Sequence, residues 1–230
     1  MRDIRILVWD FPTRTFHWLL ALSFIAAYGT AEAERFQALH LLFGYTAAGL
    51  VAFRLVWGLI GTRYARFSSF VFSPRAALDY ASSLFTGAPQ RFVGHSPLGS
   101  WAVVLLLAMQ VLVFATGLGT FLVPNGDFLE DLHEGVAAAA LALVAVHIAA
   151  VILTSVVHRE NLVRAMISGR KRGAAQDSAT GARAFAAIVL VALVAALWSG
   201  IVPAPGVTDL RGALTAQASQ HGRHHDHDED

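Results

Sequence analysis

The chain has no cysteine. That excludes disulfides, thiolate-held iron–sulfur clusters and covalent c-type haem attachment, and it leaves the redox compartment open. Charge is scarce as well. Only 14% of the 230 residues are Asp, Glu, Lys or Arg, against about 25% in a soluble domain. The net charge is +1, so no overall field draws the chain to nucleic acid, and no nucleic-acid partner is expected. A first apolar run follows the opening arginines. With further runs behind it, that run reads as a span and not as a removable signal peptide. No internal repeat is visible.

What fills the chain instead is hydrophobic sequence, 56% of it. A bilayer crossing needs about 20 mostly apolar residues. Five segments qualify: 16–33, 38–60, 98–123, 132–157 and 185–202. The first is expected to begin earlier, near Pro12, a residue suited to a helical first turn. The expected architecture is therefore an all-α integral membrane protein. The loop 61–94 is rich in aromatics, and its part 74–84 reads as a short amphipathic helix in the membrane interface. The stretch 169–181 reads as a flexible linker, rich in Gly, Ala and Ser.

Cations set the orientation, because they favour the cytoplasmic side. Arg2, Arg5 and Arg14 precede or open the first segment. Arg63, Arg66, Arg75 and Arg91 follow the second, and Arg159, Arg164, Arg170, Lys171, Arg172 and Arg183 follow the fourth. The connections "AEAERF" and "VPNGDFLEDLHE" are acidic. The N-terminus is thus expected in the cytoplasm, and the segment 203–230 outside.

Six of the ten histidines lie in or beside the spans: His17, His40, His95, His133, His147 and His158. Ionisable groups at membrane depth are functional candidates by default. With this orientation His17 lies near the inner side, while His40 and His133 lie near the outer side. His147 is 14 residues beyond His133, about 21 Å deeper and rotated by only about 40°, so the two share a helix face. His40 and His133 can meet at the outer level, and His17 and His147 at the inner level. Two stacked pairs of imidazoles suit two bis-histidine b-type haems, each iron taking one nitrogen from either side. Gly44, Ala47, Ala48 and Gly49, and the alanines 137–140, suit both a flat macrocycle and tight helix packing. His158 competes with His147 as the partner of His17. It is 11 residues further on, about 20° off the same face.

Several of these pieces resemble the bacterial cytochrome b561 and nickel–iron hydrogenase b-type cytochrome group. They are "VWDFPTRTFHW" (8–18), "HLLFGYTAAGLVAFRLVWGLIG" (40–61), "GHSPLG" (94–99), "LHEGVAAAALALVAVHIAAV" (132–151) and "HRENLVRAMISGRKR" (158–172). The resemblance implies a four-helix haem-binding transmembrane bundle over residues 1–172, in the bacterial inner membrane. Outside the resembling pieces, composition and cation distribution alone read as a linker 173–181, a fifth C-terminal transmembrane helix 182–202 and a periplasmic His/Asp-rich tail 203–230. The resemblance implies transmembrane electron transfer, with ligand histidines at His17, His40, His133 and His147. It also implies assembly as a homodimer or as a subunit of a larger complex.

Other groups take secondary roles. Arg54 lies 14 residues past His40, at the depth of the inner pair. It either pairs with a haem propionate or snorkels to the headgroups. Arg14 is a second propionate candidate. His158 is a candidate proton donor or acceptor beside a quinone, and His95 is expected to cap or anchor the third span. In the tail, His221, His224, His225 and His227 alternate with carboxylates. That pattern suits loose metal binding or a solvated acidic tail.

The leading reading is an electron-transfer subunit between membrane quinone and a redox partner. That partner would be a c-type cytochrome, to which acidic outer loops are complementary, or a dehydrogenase or hydrogenase subunit. One alternative is a superoxide:quinone oxidoreductase, which the acidic outer loops disfavour. The other is a metal-ion transporter or sensor using the His-rich tail.

Overall fold

The computed structural model describes residues 4–32, 34–70, 72–87, 89–123, 127–207 and 212. The chain is mostly helical. Helix α1 is Phe11–Gly29, α2 Gln37–Ile60, α3 Pro74–Thr86, α4 Pro97–Leu122, α5 Asp127–Val157, α6 Leu162–Ser168 and α7 Ala184–Trp198. Strands β1 (Ile4–Leu7) and β2 (Arg170–Gly173) pair antiparallel, with Ile6 opposite Lys171.

Local chemistry starts the helices. Asp10, Ser73, Ser96 and Asn161 are N-caps whose side chains accept a backbone N–H from the first turn, satisfying donors the helix itself cannot. Proline follows three of these caps, where its missing N–H costs nothing. The α6 helix ends on Gly169 at φ 76°, where a Cβ would stand 2.5 Å from the Trp9 carbonyl oxygen. That carbonyl of Gly169 in turn accepts from Val8 and Trp9 N–H, so the glycine ties the N-terminal strand to the end of α6.

Among the described residues, three helical stretches are long and apolar enough to cross a membrane: Glu34–Ile60, Pro97–Leu122 and Asp127–Val157. Helix α1 packs along α2, and α5 along α4. The α7 helix packs on α1 and α2, with Trp198 Nε1 donating to Thr46 Oγ1 at 2.9 Å. One core cluster joins Phe16, Leu50, Val51, Leu107 and Leu190 within the bundle. A second joins Ile6, Val8, Trp9, Tyr64 and Ala179 at its end. Many large apolar side chains, Leu59, Ile148 and Phe185 among them, are exposed, as expected of surfaces that meet lipid.

Several boundaries differ from the sequence reading. Helix α1 ends at Gly29, short of residue 33, where the Thr30 hydroxyl bonds back to Ala26 and Ala27 carbonyls. Helix α5 begins five residues before 132, with Asp127 and Glu130 in its first turn, where carboxylates suit the helix dipole. Helix α7 is 15 residues long and stops at Trp198. The stretch 169–181, expected as a flexible linker, carries regular structure and tertiary hydrogen bonds. Residues 170–173 form β2, Ala179 N–H donates to Leu7 O, and Tyr64 O–H donates to Asp177 O at 2.6 Å. Among the described residues the fold is therefore helical with one small sheet. The helix expected at 74–84 forms as α3, burying Ala77, Tyr80 and Leu84 and packing on α4.

Candidate functional site

At the end of the bundle where α1 finishes and α2 begins, His40 and His133 face each other. Their ring centroids are 6.1 Å apart and their planes nearly perpendicular, at 87°. His40 Nδ1 lies 2.8 Å from Ala27 O, and His133 Nδ1 lies 3.1 Å from Val113 O. A carbonyl only accepts, so each Nδ1 carries the proton and each Nε2 keeps its lone pair. Thr116 Oγ1 also lies 3.1 Å from His133 Nδ1. Gly117 lies under the same ring, because a Cβ there would stand 2.9 Å from His133 Cε1. At Gly44, one helical turn past His40, and at Gly49, a Cβ would meet no atom within 4 Å.

The opposite end holds a different kind of cluster. Among the described residues, five buried side-chain atoms have no hydrogen-bond partner: Thr13 Oγ1, Arg14 Nε, His17 Nδ1, Arg54 Nη1 and His95 Nδ1. They gather where α1 begins, α2 ends and α4 is about to start. His17 lies within electrostatic reach of His147, and His95 within reach of Arg54, Lys171 and His147. Arg54 is 2% exposed and stacks over Phe67 at 4.6 Å. It does not snorkel. Arg14 lies over Phe11 at 4.1 Å and donates to Ile167 O at 2.6 Å.

Asp10 organises this end. It is fully buried and accepts from Thr13 N–H, from Trp57 Nε1 at 3.1 Å and from Thr62 Oγ1 at 2.8 Å. Its charge lies within reach of both Arg14 and Arg54. His95 is not the cap of α4. Ser96 is, and His95 instead sits against Trp9 at 4.7 Å and Phe70 at 4.3 Å. Burial, then the neighbouring Arg54, Lys171 and His147, push its imidazole down to about 3. His158 lies just past α5, with Nε2 2.9 Å from the Tyr80 hydroxyl and its ring stacked on Tyr80 at 17°. Burial, then Arg91 and Lys171, lower its pKa, and Glu160 opposes them.

The sequence reading missed Asp10, Thr116, Gly117 and Tyr80. Asp10 before Pro12 is an N-cap signal. Thr116 and Gly117 follow from the α4–α5 hairpin, whose short connection sets them level with His133. The tail histidines His221, His224, His225 and His227 lie outside the described residues.

These two polar ends, each with histidines brought together from separate helices, belong to a sequence with known relatives. The family described as prokaryotic cytochrome b561 matches residues 8–169. The chain belongs to the prokaryotic cytochrome b561 family. It is 25% identical to a probable Ni/Fe-hydrogenase B-type cytochrome subunit of Rhodobacter capsulatus, over 74% of this chain and 82% of that protein. It is 21% identical to one of the same description from Rhizobium leguminosarum bv. viciae, over 72% and 88%. No solved structure matches it significantly.

Membership in this cytochrome b561 family implies haem b and a part in membrane electron transfer. The residues present fit that group. With metal–imidazole bonds of about 2 Å, the 6.1 Å between the His40 and His133 ring centroids would leave room for an iron held by both residues. Their Nδ1–H bonds to carbonyls are the outer contacts that orient ligand imidazoles. At the other end, unpartnered guanidinium nitrogens of Arg54 and Arg14 suit the carboxylates of a propionate.

Proposed function

We propose that this cytochrome carries electrons across the membrane through two bis-histidine b haems. His40 and His133 hold the outer one, and His17 and His147 the inner one. The observation that carries the reading is the facing of His40 and His133, with both Nδ1 atoms engaged by carbonyls and both Nε2 atoms left to bind iron. Haem irons held by these residues would supply one-electron redox chemistry.

The chain's own residues do the rest. Four histidines on α1, α2 and α5 fix the two levels. Arg54 and Arg14 neutralise propionate charge at the inner level. Arg54 is anchored by the Asp10 field and the Phe67 face, so its charge stays buried where a solvated arginine would turn away. Helices α1 and α7 complete five crossings with the three longer apolar stretches, and the N-terminus lies in the cytoplasm. The relatives' description as hydrogenase cytochrome subunits supports a hydrogenase or another dehydrogenase as partner. A membrane quinone is the other redox partner, with His158 and Tyr80 passing its proton at the cytoplasmic side.

The test is a pyridine-haemochrome assay with a reduced-minus-oxidised spectrum on the purified chain in detergent. Two haems b per chain with a sharp low-spin α-band are expected, and His133→Ala retains one. A wild-type chain with no haem sinks the reading. Two haems retained by His133→Ala refute the outer pairing.

A further inference from the structure

Beyond the haem-binding ends lies a feature that electron transfer does not use. A cavity of about 90 Å³ opens just past the last residue of α5, between the small sheet and α6. Six of its nine lining residues are cations: Arg5, Arg159, Arg164, Arg170, Lys171 and Arg172. One carboxylate, Glu160, faces them, and its Oε1 already accepts the Arg172 backbone N–H at 2.8 Å. The Lys171 ammonium is taken up by the Phe92 and Gly94 carbonyls. None of the five arginines forms a salt bridge among the described residues, where Arg63–Asp177 is found instead.

The arrangement is costly without a counter-charge. Arg5 and Arg172 are direct cross-strand partners in the β1–β2 pair, and like charges directly opposite destabilise a sheet. Strand alternation turns Arg170 to the same face as Arg172. Arg159 adopts a left-handed backbone, φ 50°, a conformation that costs energy in a non-glycine residue and collects at functional sites. Across the cavity, Arg164 comes from a separate element, α6. Five guanidinium groups around a volume fit for one tetrahedral anion are a phosphate-recognising chemistry, because guanidinium binds phosphate oxygens bidentately.

The position selects the source. The α5 stretch crosses the bilayer by length and composition and ends at Val157, two residues before Arg159. The cavity therefore lies at headgroup level, where basic pockets beside spanning helices hold anionic lipid. We propose that this cavity binds the phosphate of an anionic phospholipid headgroup, and that the bound lipid offsets the Arg5–Arg172 repulsion and holds the sheet against α6.

Native mass spectrometry on the delipidated full chain in neutral detergent tests this, with phosphatidylglycerol, phosphatidylcholine and inorganic phosphate added in turn. One phosphatidylglycerol per chain is expected to persist where phosphatidylcholine does not. Arg170→Gln with Arg172→Gln should lower that occupancy about tenfold, a loss typical of removing charge-assisted phosphate contacts. Arg164→Gln, on a different element, should lower it in the same direction, so a misfolded strand pair does not decide the result. Arg75→Gln, outside the cavity, should leave it unchanged. Equal retention by wild type and both cavity variants overturns the site. An equal loss in Arg75→Gln overturns it in favour of diffuse attraction to the basic face. Inorganic phosphate binding as tightly as the lipid overturns the lipid assignment and leaves a soluble anion site.

Discussion

His133 rests on Gly117. A Cβ at that glycine would stand 2.9 Å from the imidazole Cε1, closer than real contacts allow, while the same ring faces His40 at 6.1 Å. Gly117→Val should push the ring away from His40 and from the Val113 carbonyl. Disturbing such an outer contact weakens metal affinity by about 10–100-fold. Haem loss during detergent dialysis, followed at the Soret band, should accelerate for one of the two haems proposed above. Unchanged retention of both would show that His133 does not depend on this glycine.

Arg54 is buried, and its Nη1 lacks a partner among the described residues. A positive charge beside a haem favours the reduced form. On the two-haem arrangement proposed above, Arg54→Gln should therefore lower the midpoint potential of the inner haem, by about 60 mV if the charge contributes a tenfold bias to its one-electron couple. The outer haem should not move. Potentiometric titration of the two α-bands reads both at once, and an equal shift in both would contradict a local role.

Asp10 caps α1 by accepting Thr13 N–H and joins that helix start to Trp57 and Thr62 through two further hydrogen bonds. Asp10→Ala leaves those buried donors unsatisfied and removes a charge opposite Arg14 and Arg54. The expected cost is about 3 kcal/mol. Thermal unfolding in detergent, followed by loss of the Soret band, should show it. Asp10→Asn keeps part of the acceptor geometry and should fall between the two. A wild-type melting temperature in Asp10→Ala would deny this carboxylate its organising role.

His95 supplies the pH dependence. Burial holds its imidazole neutral down to about 3, while an unfolded histidine protonates near 6.5. Its folded pKa is depressed. Its share of stability is therefore full above about 6.5 and is lost as the pH falls from there toward about 3, where the unfolded chain binds the extra proton. The wild type should lose melting temperature on acidification across that window. His95→Leu should lose less, because no proton is taken up at that position. Parallel slopes for the two proteins would assign acid sensitivity to other groups.

Much of this protein was legible as a string. Apolar length marked, among its five segments, the three helical stretches long enough to cross a membrane, and the scarcity of charge pointed to a membrane protein. The interval of 14 residues from His133 to His147 fixes a shared face and two depths, because helical rise and rotation are properties of the backbone alone. Ser–Pro at 73–74 and 96–97 and Asp10 before Pro12 announce helix starts through purely local hydrogen bonding. Family membership follows from the same stretches.

Tertiary structure decided what lies sideways. Periodicity along one helix says how deep a residue sits and which way it points, and it carries no record of the neighbour across the gap. The acceptors for the His40 and His133 Nδ1 atoms are carbonyls of Ala27 and Val113, on other helices, and carbonyls have no sequence signature. The seat of His95 against Trp9 and Phe70, and the three donors converging on Asp10, bring together segments far apart in the chain. The β1–β2 pair joins residues 4–7 to 170–173, and its short, arginine-rich second strand reads locally as a linker because only the distant partner strand supplies its hydrogen bonds. Depth and rotation belonged to the sequence. Adjacency belonged to the packing, since it depends on contacts among all the helices together.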